Sequence, residues 1–183
     1  MLRIASRWVV LDVGGVLLPD QSERTTPLDS APSLALAADS VARRDRLAAL
    51  DGAEDLLIAL RRVGFSLAVL SNVARECDQA HLVPQIFRRI DRCFQSYAIG
   101  WKKPALQAFH LVQRALGVPP RNICMVGDRF AADIQPALQS GWSAVLLDRG
   151  SDSAGSAKPE IPRMRRASSP VEVFTAIRVL LSD

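Results

Sequence analysis

Asp12 closes the apolar run Trp8-Val9-Val10-Leu11, with Gly14 and Gly15 close behind it. An acid at the end of a buried strand has its charge desolvated on one side, which is costly unless a cation or dipole compensates. The glycines allow a ligand to approach the backbone closely and leave N–H groups open to it. Taken alone, the segment reads equally well as a strand-ending Asp that caps a turn.

Three further segments place polar groups in similar positions. Leu67-Ala68-Val69-Leu70 ends at Ser71-Asn72, where a hydroxyl and neighbouring amides can donate to phosphate oxygens. Lys103 stands before Pro104 at the entrance of a helical pattern, placed to neutralise a phosphate or a carboxylate nucleophile. Ile123 to Asp133 closes a strand at Asp128 and carries Asp133 five residues on, at the start of a helix. Singly, these read as a turn, a solvated lysine and a helix N-terminal acid. Together, Asp12, Asp128 and Asp133 meet one Lys103 and leave the site under-neutralised. Such a site binds a divalent cation or raises the pKa of one carboxylate. Hard oxygen donors in small number suit Mg²⁺, which keeps most of its waters, and a bound cation creates a place for a phosphoryl group.

The elements that must position these residues alternate. Short apolar runs at Trp8–Leu11, Ser66–Leu70, Asn122–Val126 and Ser143–Leu147 each end in a turn or polar signal, with a weaker candidate at Cys93–Gln95. Between them the spacing predicts helices over Ala53–Val63, with Leu56, Leu57, Leu60 and Val63 on one face, and over Pro104–Leu116 and Ala132–Ser140, stopped by Gly64, Gly117 and Gly141. A last helix is expected over Pro170–Leu181 with Ser169 as its N-cap. The alternation predicts an α/β, Rossmann-like three-layer sandwich around a central parallel sheet, whose ligand site lies at the carboxyl ends of the strands. One domain over 1–183 is expected. It carries a short insert or small lid at 19–50 and a flexible loop at 151–162.

Composition sets the remaining bounds. The 183 residues are 49% hydrophobic, ordinary for a globular domain, and a net charge of +4 gives no argument for nucleic acid. Cys77, Cys93 and Cys124 form no C-x-x-C pair and suit reduced thiols, Cys124 in the core. The start of the chain makes a poor signal peptide and no membrane span, so a cytoplasmic setting is expected. His81 and His110 read as surface or packing residues. Trp101 reads as a packed residue or a stacking platform at the mouth, Lys102 as exposed, and Arg163, Arg165 and Arg166 as a solvated basic strand edge.

The ordered set of four segments resembles the haloacid dehalogenase superfamily, and the likeness runs from about Trp8 to Arg149. Its carriers are Asp-x-Gly-Gly-Val-Leu, Leu-Ser-Asn, Gly-x-x-Lys-Pro and Gly-Asp-x-x-x-x-Asp. The resemblance implies that Asp12 attacks phosphorus to form an aspartyl-phosphate. It implies that Ser71 and the amides near Gly14, Gly15 and Asn72 hold phosphoryl oxygens, and that Lys103 balances charge. Asp128 then binds Mg²⁺ together with Asp12 and the Gly14 carbonyl, and Asp133 supports the metal through water or orients Lys103.

Two departures from the family pattern stand out. Gly14 occupies the place of the usual acid/base Asp, whose contribution is worth ~10²–10⁴-fold; Asp20 lies nearby in sequence. The segment 19–50 is too short for a full helical cap, so the cap is reduced or absent. The site is then open to a bulky phosphorylated substrate, or closed over a small one by a neighbouring subunit. The expected activity is Mg²⁺-dependent phosphomonoester hydrolysis. The alternative is a catalytically weak protein that binds a phosphorylated ligand or a protein partner. Dehalogenation fits less well, because it needs no metal and uses a cap.

Overall fold

The computed structural model describes residues 6–19, 49–73, 84–149 and 161–182. Six parallel strands form: the largely apolar, buried β1 (Trp8–Leu11), β2 (Ser66–Ser71), β4 (Ile123–Gly127) and β5 (Ser143–Leu147), and the more polar, half-exposed edge strands β3 (Arg92–Gln95) and β6 (Met164–Ala167). Their order is β3-β2-β1-β4-β5-β6. The chain builds outward from β1 to β2 and β3, then returns to β1's other side for β4. The order therefore switches direction between β1 and β4, and at such a switch the loops above the strand ends part to leave a crevice.

Side-chain alternation divides the core. Val9 and Leu11 of β1 pack on one face with Val69, Val126 and Val145, and Val10 faces the other with Leu70, Met125 and Ala144. The first face is covered by α1 (Ala53–Arg62) through Leu56, Leu57 and Leu60, and by α6 (Pro170–Leu180) through Val173 and Ile177. Two short helices, α2 (Pro84–Phe87) and α3 (Ser96–Ile99), flank β3 in sequence. The second face is covered by α4 (Leu106–Leu116) and α5 (Gln135–Gln139), where Phe109 and Trp142 meet with ring centroids 5.4 Å apart. This is the expected α/β three-layer sandwich.

Several boundaries differ from expectation. Val63 does not share the buried face of α1. The helix ends at Arg62, Val63 turns out of it as the cap, and its side chain is 46% exposed. Helix α4 starts at Leu106 rather than Pro104, because Lys102–Ala105 forms a turn closed by Ala105 N–H donating to Lys102 O, with a cis peptide between Lys103 and Pro104. The helix expected over Ala132–Ser140 is a wide π-type turn at Phe130–Ile134 followed by α5. Pro136 has no N–H to continue an ordinary ladder there. Ser169 does cap the last helix, accepting from Glu172 N–H at 3.3 Å.

The expected insert 19–50 lies outside the described residues except at Pro19, Ala49 and Leu50, and the loop 151–162 except at Ile161 and Pro162. Asp20, Cys77 and His81 fall outside them as well. Arg163, Arg165 and Arg166 are exposed on or beside the edge strand β6, and Cys124 is fully buried, where desolvation pushes its thiol pKa up.

Candidate active site

Asp12 follows β1 without a break, its N–H donating to Val126 O of β4 at 2.9 Å. That bond fixes the carboxylate at the switch between β1 and β4. Asp12 Oδ1 accepts from Val13 N–H at 2.7 Å and lies 2.8 Å from Lys103 Nζ. Both side chains are almost wholly out of solvent. Lys103 Nζ also lies 2.6 Å from Asp133 Oδ1, which is fully buried. The ammonium thus sits at contact distance between two buried carboxylates. Asp133 Oδ2 accepts from Arg129 N–H at 3.2 Å.

Lys103 is fixed by its main chain too. Asn72, just past the end of β2, donates from Nδ2 to Lys103 O and accepts from Lys103 N–H on Oδ1, both at 2.8 Å. The next residue is held the same way, since buried Ser96 Oγ donates to Val73 O and accepts from Val73 N–H. Ser71 ends β2 one residue before Asn72 and is half-buried.

Asp128 emerges from β4 beside Asp12. Two glycines make room for the acids. A Cβ at Gly15, whose φ is +71, would lie 1.9 Å from Asp128 Oδ2, and one at Gly127 would lie 2.3 Å from Asp133 Cβ. Gly15 N–H is itself committed to Leu18 O at 2.8 Å, so Gly15 serves the site through its missing side chain. Gly14 pairs with Leu18 in the same turn.

One ligand atom from each of Asp12, Asp128 and Asp133 lies within 4.8 Å of the others. Asp128 Oδ1 is buried without a hydrogen-bond partner among the described residues. Three acids against one ammonium, with an orphaned oxygen, form a donor set that fits a hard divalent ion. The electrostatics agree. Burial raises the Asp12 pKa, against the lowering effect of Lys103. Burial, then the charges of Asp12 and Asp133, raise that of Asp128 to about 6.

The four charged residues expected to converge are thus together, with Asn72 bound to the lysine and Gly15 against Asp128. Trp101 is 45% exposed, and Lys102 and His110 are exposed. The sequence reading missed Arg129, whose Nη2 lies 4.0 Å from Asp12 Oδ2. Its only signal was adjacency to Asp128. It also missed Gly127 and Ser96, whose roles are steric and indirect.

The profile of the haloacid dehalogenase-like hydrolases matches residues 15–141. The chain belongs to that family. Among curated proteins, this haloacid dehalogenase-like chain is 32% identical over 93 residues to the glyceraldehyde 3-phosphate phosphatase of Methanothermobacter thermautotrophicus, covering 50% of this chain and 41% of that one. It is 32% identical over 128 residues to the phosphoserine phosphatase of Thermus thermophilus, covering 68% and 49%. It therefore spans less than half the length of these two relatives. The solved HAD phosphatase of Thermococcus onnurineus shares the fold, with a TM-score of 0.71 at 17% identity over 96% of this chain and 98% of that one. Among the described residues, no helix of this family member is long and apolar enough to cross a membrane.

Proposed function

We propose that this chain is a Mg²⁺-dependent phosphomonoesterase domain acting through an aspartyl-phosphate on Asp12. The carrying observation is the cluster itself: buried Lys103 between Asp12 and Asp133, with a half-buried Asp128 close to both acids. The match to phosphatases in the same family supports it.

The residues divide the work. Asp12 Oδ1 is engaged by Val13 N–H and Lys103, which leaves Oδ2 as the reacting oxygen. Oδ2 bonds to phosphorus as the bond to the leaving oxygen breaks, and that oxygen departs with the electron pair. Water then cleaves the acyl phosphate and regenerates the carboxylate. Lys103 keeps Asp12 ionised in a dry setting and attracts the phosphoryl oxygens. Asp133 holds the ammonium in place, and Ser71 with the amides around Gly14 and Asn72 supplies donors to the phosphoryl group. Asp12, Asp128 and the Gly14 carbonyl would hold Mg²⁺, which supplies charge neutralisation at the phosphoryl group when bound. The substrate is a phosphorylated metabolite or a bulkier phosphorylated molecule, and the cysteine content fits a cytoplasmic setting. A catalytically weak, ligand-binding role is the second reading, favoured by Gly14 in place of an acid/base carboxylate.

An assay on an aryl phosphate with and without Mg²⁺ tests the proposal. Turnover is expected only with the metal, and Asp12→Asn is expected to abolish it. Activity surviving in Asp12→Asn sinks the mechanism. Binding of beryllofluoride without measurable turnover on any phosphorylated metabolite favours the second reading.

A further inference from the structure

The family pattern leaves Arg129 without a role, yet among the described residues it is the cation beside the oxygen of Asp12 that Lys103 does not occupy. Its Nη2 lies 4.0 Å from Asp12 Oδ2, at the outer limit of an ion pair, and its side chain is 46% exposed. A half-exposed pair at that distance contributes little to stability, so the contact does not explain the residue's placement. Its backbone, by contrast, is fixed from both sides: Arg129 N–H donates to Asp133 Oδ2 and Arg129 O accepts from Asp133 N–H at 2.9 Å. The side chain is thus a half-exposed arm on a fixed base, and among the described residues its guanidinium makes no contact closer than that to Asp12.

We propose that Arg129 is a catalytic residue that binds the transferring phosphoryl group and offsets the charge that develops as the leaving oxygen departs. The inference rests on the phosphoryl-transfer reading above. In a near-attack arrangement phosphorus lies roughly 3–3.5 Å from the attacking oxygen, and its other oxygens spread around that axis. A guanidinium nitrogen 4.0 Å from Oδ2 borders the volume those oxygens fill. A planar, permanently charged fork suits paired phosphoryl oxygens. The chemistry also calls for it. With Gly14 in place of a carboxylic acid, no side chain at that position protonates the leaving group. The Asp12 Oδ2–P bond forms, the P–O bond breaks, the leaving oxygen keeps the electron pair and takes its proton from solvent. Arg129 stays protonated throughout and only donates hydrogen bonds. The preferred substrates are therefore phosphate esters whose leaving group is already acidic, such as aryl or enol phosphates.

Two measurements on Arg129→Ala and Arg129→Lys test this. In the first, orthovanadate is titrated into wild type and variants in Mg²⁺. Arg129→Ala is expected to weaken vanadate binding by at least about tenfold, Arg129→Lys by less, while binding of Mg²⁺ alone is unchanged. Vanadate affinity within threefold of wild type in Arg129→Ala overturns the proposal. In the second, kcat/KM is measured on substituted phenyl phosphates. Arg129→Ala is expected to lose on the order of 100-fold, more as the phenol becomes less acidic, with partial rescue by added guanidinium. A loss that is the same for every phenol and is not rescued also overturns it. A wild type with no turnover defeats the phosphatase reading alone, because the vanadate titration still reads Arg129 directly.

Discussion

Asn72 grips the main chain of Lys103 with both ends of its amide, one hydrogen bond given and one taken, each 2.8 Å long. The lysine is thereby located from the β2 end of the sheet while its ammonium is located from β1 and the loop after β4. Asn72→Ala removes both bonds and is expected to cost about 1–2 kcal/mol in a chemical melt. It should lower kcat more than it raises KM, because the misplaced charge matters most when the phosphoryl group is in flight. Asn72→Asp should not rescue it, since a carboxylate has no donor for Lys103 O. Restored kcat in Asn72→Asp argues against this grip.

Lys103→Met leaves Asp12 and Asp133 buried without their counter-charge. Breaking such a group from one side typically costs about 3–5 kcal/mol. The loss should be larger at pH 8 than at pH 5, because protonating Asp12 removes one of the unpaired charges. Thermal melts of the metal-free variant at both pH values check the sign.

The wild-type protein carries its own pH signature. Asp128 has its pKa raised to about 6 from an ordinary 3.8, chiefly by burial. Between those values the folded form holds a proton that the unfolded chain has released, so this contribution to stability is complete below about pH 4 and fades as pH rises through about 6. Asp12 shifts in the same direction. Asp128 is only half-buried, so solvent screening limits its contribution to about 1 kcal/mol. Mg²⁺ competes with that proton. Added Mg²⁺ should raise the melting temperature at pH 8 and have little effect at pH 5, and an equal gain at both would show that Asp128 is not a ligand.

Gly15→Ala puts a methyl group where Asp128 Oδ2 now lies and forces an L-residue into a positive φ. Mg²⁺ affinity, read by calorimetry, should fall by at least about tenfold through the displaced carboxylate. Unchanged affinity would remove Asp128 from the metal set.

Gly14 does not share the positive φ of Gly15, so its backbone conformation accepts a side chain. Gly14→Asp should raise kcat on alkyl phosphates by about 100-fold if the missing acid limits turnover, with a smaller gain on aryl phosphates. An equal effect on both, or none, places the slow step elsewhere.

The chemistry was legible where it coincided with a strand end. Asp12 and Asp128 each close an apolar run, and parallel strands bring such ends to one edge, so their meeting followed from local pattern. Lys103 was legible through its place before a helix, although the helix begins later because the chain first turns through Lys102–Ala105. Other contacts depend on paths that no local pattern encodes. The two ends of the Asn72 amide find a backbone 31 residues away, and Arg129 comes near Asp12 because the strand it follows, β4, lies beside β1 in the sheet. Val63 misled for a simpler reason: helical periodicity continues on paper one residue past the point where the chain leaves the helix.

Leu50 N–H donates to Leu17 O at 2.9 Å, so the chain on either side of residues 20–48 is stapled together right beside the turn that follows Asp12. A stem closed in this way is a natural splice point. Loop-closure entropy changes only slowly with length, so inserts of very different sizes can be grafted between Pro19 and Ala49 while the sheet beneath keeps its shape. That makes this position a modular port, at which new chain can be added beside the acidic cluster without touching the sheet that holds it.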